Sequence, residues 1–247
     1  HFILLRCEVC APDVIDSFGR LEANARVRLA SLMDHTPGQR QFTSMETYRL
    51  YYQGKTGMTD AEFEAFVAKR QARAGALSGA NRRVISARCQ ERGIIVASHD
   101  DASTSHVDEA IENGVHVAEF PTTFEAAEAS RAAGMKILMG APNVVRGGSH
   151  SGNVSARALA ERGLLAVLSS DYLPFSLPPP PFLMPERVGG MPLPAAIATV
   201  SLNPAEAAGL IDRGALLPGR RADIVRVRPD GDVPVVRGVW REGTRVA

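Results

Sequence analysis

Acidic residues and histidines recur in this 247-residue sequence directly after short apolar runs. Glu8 closes one run and Asp34-His35 the next; His99-Asp100-Asp101, Glu119 and Asp171 follow the later ones. Carboxylates and imidazoles are the donor set of a zinc-like or manganese-like divalent ion, which lowers the pKa of a water and makes hydroxide available near neutral pH. A single histidine after a strand is more often a hydrogen-bonded loop residue. His35 and His99 stand at equivalent places on successive strands, and together they read as ligands. His106 lies within a helical stretch and His116 at the start of a strand, so both read as structural, and His1 carries no interpretable context. Asp171 is of the right type to take a proton from the attacking water and pass it to the leaving group. A loop-capping aspartate is its plainer alternative.

A second constellation runs Asn143-Val-Val-Arg146-Gly147-Gly148-Ser149-His150-Ser151-Gly152-Asn153. Small residues let backbone N–H groups approach an anion, and Arg146, Ser149, His150 and a following helix N-terminus favour phosphate. The spacing is not that of a Walker loop. Arg40, just beyond His35, is a candidate further phosphate clamp. The charges of the long helical stretch (Lys69, Arg70, Arg73, Arg82, Arg83) read as a solvated face.

These residues need elements that bring them to one place. Six apolar runs, Phe2–Val9, Val27–Met33, Ile94–Ser98, Val115–Phe120, Lys136–Met139 and Leu164–Ser169, have the length and the Val, Ile and Leu content of buried parallel strands. Helical segments are expected at Pro12–Ala25, Thr59–Arg92, Ser105–Asn113, Thr123–Ala133 and Asn153–Arg162. Gly93, Gly114, Gly134 and Gly163 stand as C-terminal caps, and Thr59 with Glu62 opens the long helix as a capping box. The β-α order predicts an α/β fold, read as part of a (β/α)8 barrel, whose active sites lie at the carboxyl ends of the strands. Six strands do not close such a barrel. The opening His1-Phe2-Ile3-Leu4-Leu5-Arg6 runs straight into a strand, so the remaining strands are expected to precede it. Residues 1–215 are assigned to the partial barrel and 216–247 to a small β appendage. Leu173–Pro192 reads as a proline-rich loop too stiff for a helix, followed by helices at Leu193–Val200 and Ala205–Leu210, with Asn203-Pro204 as the cap and first turn of the second.

Composition adds mainly exclusions. A net charge of +1 gives no general pull toward nucleic acid or membrane, and no run approaches the roughly 20 apolar residues of a membrane span. A cytoplasmic enzyme is therefore the default expectation. Cys7 and Cys10 have C-x-x-C spacing, but no second pair follows; one cysteine in a strand and one in the next loop is the plainer reading.

The strings Leu5-Arg6-Cys7-Glu8-Val9, Ser31-Leu32-Met33-Asp34-His35-Thr36-Pro37-Gly38-Gln39, Ser98-His99-Asp100-Asp101, Glu119-Phe120-Pro121-Thr122-Thr123, Met139-Gly140-Ala141-Pro142-Asn143, Arg146–Asn153 and Leu168-Ser169-Ser170-Asp171-Tyr172 resemble the PhnM family of the amidohydrolase superfamily. The resemblance implies a metal-dependent amidohydrolase-type barrel and an enzyme of the carbon–phosphorus lyase pathway. The implied reaction is hydrolysis of the phosphoanhydride of α-D-ribose 1-methylphosphonate 5-triphosphate, giving the 5-phosphate and diphosphate. It further implies one or two divalent ions, zinc or manganese, with Glu8 as a bridging carboxylate, His35 and His99 as ligands and Asp171 as ligand and proton shuttle. The family's H-x-H pair on the first barrel strand has no counterpart, so this chain alone is expected to be inactive. Its open barrel edge invites pairing with another copy. The alternatives are a cyclic-amide hydrolase or deaminase on the same scaffold, and a non-catalytic phosphate-binding module.

Overall fold

The computed structural model describes residues 1–42, 44–148, 153–230 and 234–247. They form two compact units, His1–Met135 and Lys136–Ala247.

The first unit holds β1 (Ile3–Glu8), α1 (Val14–Gly19), β2 (Val27–Met33), α2 (Met45–Thr56), α3 (Asp60–Arg92), β3 (Ile95–His99), α4 (Thr104–Glu112), β4 (Val117–Glu119) and α5 (Phe124–Ala132). The strands lie in chain order and pair in parallel, with Glu8 opposite Met33, Leu32 opposite Ser98 and His99 opposite Glu119. This register brings the polar residues after each strand to one edge. Leu32, Val96 and Val117 are almost fully buried in the sheet. Phe18 of α1, Ile85 and Cys89 of α3 and Val107 of α4 are likewise buried. Each such side chain contributes roughly 1.5–3 kcal/mol by leaving water.

The capping box of α3 is present: Thr59 Oγ1 accepts from the Glu62 amide, and Glu62 Oε2 accepts from the Thr59 amide at 2.9 Å. Gly93 ends the helix at φ +65°, a conformation open to glycine without strain. The stretch Met45–Thr56, not anticipated as a helix, is ordered by tertiary contact. Tyr48 is fully buried with Phe63 and Val67, and Arg70 donates to the Tyr48 and Tyr52 hydroxyls at 3.1 Å each. Arg70 and Arg82 therefore depart from the expected solvated face, and Arg82 is 3% exposed.

The second unit comprises β5 (Lys136–Gly140), α6 (Ala141–Arg146), α7 (Ala156–Glu161), β6 (Leu165–Ser169), α8 (Pro180–Arg187), α9 (Leu193–Ala198), α10 (Leu202–Ala207), β7 (Ile224–Arg228), β8 (Val235–Arg241) and β9 (Thr244–Arg245). β5 and β6 pair in parallel, whereas β7, β8 and β9 form a separate antiparallel sheet. Two expectations need correction. The proline-rich loop contains α8, because Pro180 and Pro181 occupy its first turn, where a missing N–H breaks no helical bond. The last helix begins at Leu202, so Asn203 and Pro204 lie inside it, and the Asn203 amide donates to the Ala166 carbonyl at 2.8 Å. No helix among the described residues is long and apolar enough to cross a membrane.

Candidate metal centre

The carboxyl edge of β1–β4 gathers Glu8, His35, His99, Asp100 and Glu119 within the first unit. His35 Nδ1 lies 2.6 Å from Glu8 Oε2, and His99 Nδ1 lies 2.9 Å from Glu119 Oε2. A carboxylate accepts only, so each imidazole donates through Nδ1 and presents the lone pair of Nε2 on its other side. Those two Nε2 atoms approach one oxygen, Asp100 Oδ2, at 3.9 Å from His35 and 3.5 Å from His99. Asp100 Oδ2 is buried and has no hydrogen-bond partner among the described residues. Two lone pairs and an anionic oxygen facing one another call for a cation or for protons.

The electrostatics agree. Burial pushes the Asp100 carboxyl up, against the pull of His99 and His35. Burial would lower the His99 imidazole, but its bond to Glu119 and the Asp100 charge raise it above its ordinary value. Carboxylate–imidazole pairs behind the ligands are the usual means of fixing tautomer and ring orientation in metal sites. The donor set thus fits a divalent ion, and one donor atom each of His35, His99 and Asp100 lies within 4.8 Å of the others.

Backbone geometry also marks the site. Asp100 and Phe120, immediately after β3 and β4, have φ of +57° and +55°. Side chains other than glycine seldom adopt such values, and a bulky one least of all. The Phe120 ring meets His99 edge-on at 5.3 Å between centroids. Strain of this kind gathers where the surroundings hold a functional geometry in place.

Glu8 is more deeply engaged than its sequence position implies. Its Oε1 accepts from the His35 amide and from the Cys10 thiol, each at 3.0 Å, while Oε2 faces His35 Nδ1. Burial would raise this carboxyl, but the bonds from His35 and Cys10 bring it down to about 2. Both Glu8 oxygens thus face His35, one through its amide and the other through Nδ1.

Arg40 also differs from expectation. It is 3% exposed, pairs with Asp101, and donates through Nη2 to Glu109 at 2.5 Å. Its Nη1 reaches the His99 carbonyl at 3.5 Å, so the guanidinium braces the segment carrying His99 and Asp100 instead of presenting an exposed clamp.

In the second unit Asp171 follows β6 at φ +52° and is exposed. Gly140 leaves it room, since a Cβ there would lie 2.9 Å from Asp171 Oδ2. The expected Gly-rich loop is partly helical. Asn143 and Arg146 belong to α6, and Gly147 is its left-handed cap at φ +82°. Asn143 Oδ1 accepts from the Ala156 amide at 2.9 Å, and exposed Arg146 donates to the Tyr172 hydroxyl at 2.5 Å. Gly148 and Asn153 are partly exposed; Ser149 and His150 lie outside the described residues. The sequence places Asp100 with His99 and Asp101 after one strand and gives no signal that singles it out as a ligand. Asp100 has a positive φ and faces the two imidazoles, whereas Asp101 is paired with Arg40.

Comparison with known proteins places this geometry. No family model matches the chain. The chain is 49% identical over all 247 residues to the alpha-D-ribose 1-methylphosphonate 5-triphosphate diphosphatase of Escherichia coli strain K12, and it spans 65% of that protein's length. Among solved structures, an uncharacterized protein superposes at TM-score 0.54 with 19% identity, covering 68% of this chain and 49% of its own. The 5-methylcytosine deaminase of Klebsiella pneumoniae, liganded with 5-fluorocytosine, superposes at TM-score 0.50 with 17% identity, covering 69% of this chain and 52% of its own. These likenesses show a shared α/β fold.

Proposed function

We propose that the chain serves a metal-dependent diphosphatase that cleaves alpha-D-ribose 1-methylphosphonate 5-triphosphate to the 5-phosphate and diphosphate, within phosphonate catabolism. The 49% identity to the Escherichia coli diphosphatase supports the substrate. The observation that carries the chemistry is Asp100 Oδ2, without a hydrogen-bond donor among the described residues, facing the Nε2 atoms of His35 and His99.

In this reading His35, His99 and Asp100 hold a divalent ion, which supplies Lewis acidity and an activated water when bound. Imidazole nitrogen with carboxylate oxygen suits zinc, and manganese is the next choice as the carboxylate share rises. Glu8 and Glu119 keep the two imidazoles in the Nδ1–H tautomer, so that Nε2 stays free for the metal. Asp171 takes the proton of the attacking water and returns it to the departing diphosphate. Arg146, Gly147, Gly148, Ser149, His150, Asn143 and Asn153 contact phosphate oxygens, where arginine and backbone N–H donors spread the charge that develops. We assign residues 1–215 to the catalytic barrel, 216–247 to an appendage, and the whole to the cytoplasm.

The test is diphosphate release by this chain joined to the segments of the Escherichia coli relative that it does not span. Zinc- or manganese-loaded protein should release diphosphate from the ribose triphosphate and leave a hydantoin ring intact. Hydantoin cleavage without diphosphate release would refute the assignment.

A further inference from the structure

The C-x-x-C spacing has no place in the reaction so far, and the structure gives its second cysteine a specific neighbour. Cys10 is 8% exposed, and its Sγ lies 3.0 Å from Glu8 Oε1. Cys7, also buried, faces the Leu5 carbonyl at 4.0 Å, and among the described residues no hydrogen bond joins it to Cys10. The two cysteines therefore do not act as a pair.

Proton counting fixes the direction of the bond. Thr36 Oγ1 lies 2.5 Å from Asp34 Oδ1 and 3.7 Å from Cys10 Sγ, so its single proton goes to the carboxylate. Glu8, an acceptor only, is left to receive the thiol proton. Glu8 Oε1 also takes the His35 amide at 3.0 Å, and Oε2 faces His35 Nδ1. Among the described residues the thiol is thus the one side-chain donor on Glu8 that does not come from His35.

Glu8, Cys10 and Asp34 lie close enough together to be considered as a second metal group. Their atoms are already committed. Asp34 Oδ1 accepts from the Thr36 amide and hydroxyl, Asp34 Oδ2 accepts from Ser78 at 2.7 Å, and both Glu8 oxygens are engaged. Each of these oxygens already accepts at least one hydrogen bond, whereas Asp100 Oδ2 accepts none among the described residues.

We infer that Cys10 is a positioning residue whose S–H donor holds the Glu8 carboxylate on His35, and through it sets the aim of the imidazole into the metal centre. The inference rests on the metal reading above. Partners behind metal ligands change affinity by about 10–100-fold when removed, and a weak thiol donor belongs at the lower end. A serine at this position keeps a donor on a shorter bond and should recover most of the loss.

Cobalt(II) titration of the 247-residue chain tests this, with folding followed by circular dichroism. Wild type should bind cobalt with no thiolate-to-cobalt charge-transfer absorption, because Cys10 keeps its proton. Cys10→Ala should weaken binding roughly tenfold and alter the visible cobalt bands; Cys10→Ser should return both toward wild type, and Cys7→Ala should leave both unchanged. If Cys10→Ala does not fold, Cys10→Val serves as the donor-free variant. Wild-type affinity and spectrum in a folded donor-free variant would overturn the inference while leaving the metal reading intact. A charge-transfer band lost on Cys10→Ala would overturn it too, by making Cys10 a ligand. Absence of cobalt binding in wild type would remove the metal reading and the inference together.

Discussion

Removing the Asp101 carboxylate should cost the first unit about 3 kcal/mol, the lower end of what breaking a buried ion pair costs. Arg40 and Asp101 are 3% and 1% exposed, so neither can turn to water when its partner is lost. At an effective dielectric near 20, two charges about 4 Å apart interact by roughly 4 kcal/mol. In Asp101→Ala, Arg40 keeps Glu109, itself 36% exposed, which holds the loss near the lower end of the range. Urea unfolding followed by far-UV circular dichroism reads the effect. With a slope of about 2 kcal/mol per molar urea, the midpoint should fall by roughly 1.5 M. The double variant Arg40→Met with Asp101→Leu removes both charges and should recover most of that fall, because apolar replacement of a whole buried pair is often neutral. A fall below about 0.3 M for Asp101→Ala, or no recovery in the double variant, would refute the view of Arg40 as an internal brace.

Three further outcomes follow from the same contacts. Glu8 titrates near 2 against an ordinary 4.5, so its contribution to stability is complete above pH 4.5 and is lost as pH falls toward 2; thermal melts across that window should be flatter for Glu8→Gln. Gly140→Ala, whose methyl would meet Asp171 Oδ2 at 2.9 Å, should lower diphosphatase turnover about tenfold or more with little loss of melting temperature, whereas Gly189→Ala meets nothing within 4 Å and should leave turnover unchanged. Gly214 stands at φ +89° with the Leu202 Cα 2.8 Å from a would-be Cβ, so Gly214→Ala should destabilise the second unit by about 2–4 kcal/mol in a denaturant titration.

The strands were readable because burial on both faces leaves little choice of residue, and the runs at Val27–Met33 and Leu164–Ser169 differ from β2 and β6 by at most one residue. The rim followed from them: in a parallel sheet the residue after each strand falls on one edge, so His35 and His99 could be paired before any geometry was known. What escaped was set by contacts distant in sequence. α2 is held by Tyr48 against Phe63, and the burial of Arg40 and Arg82 depends on Asp101, Glu109 and Asp34, which no local pattern connects. Asp100 differs from Asp101 in a positive φ and in facing His35 and His99 where Asp101 pairs with Arg40, none of which the sequence advertises. α8 was hidden by the general cost of proline in helices, which does not apply to Pro180 and Pro181 in its first turn, though Pro185 lies inside it.

The central claim is that His35, His99 and Asp100 hold a divalent ion, and metal content tests it most directly. The purified chain, equilibrated with zinc and dialysed, should carry about one equivalent by elemental analysis. His35→Ala, His99→Ala and Asp100→Ala should each lose it while staying folded. Metal retained by all three variants, or none bound by the wild-type chain, would contradict the account.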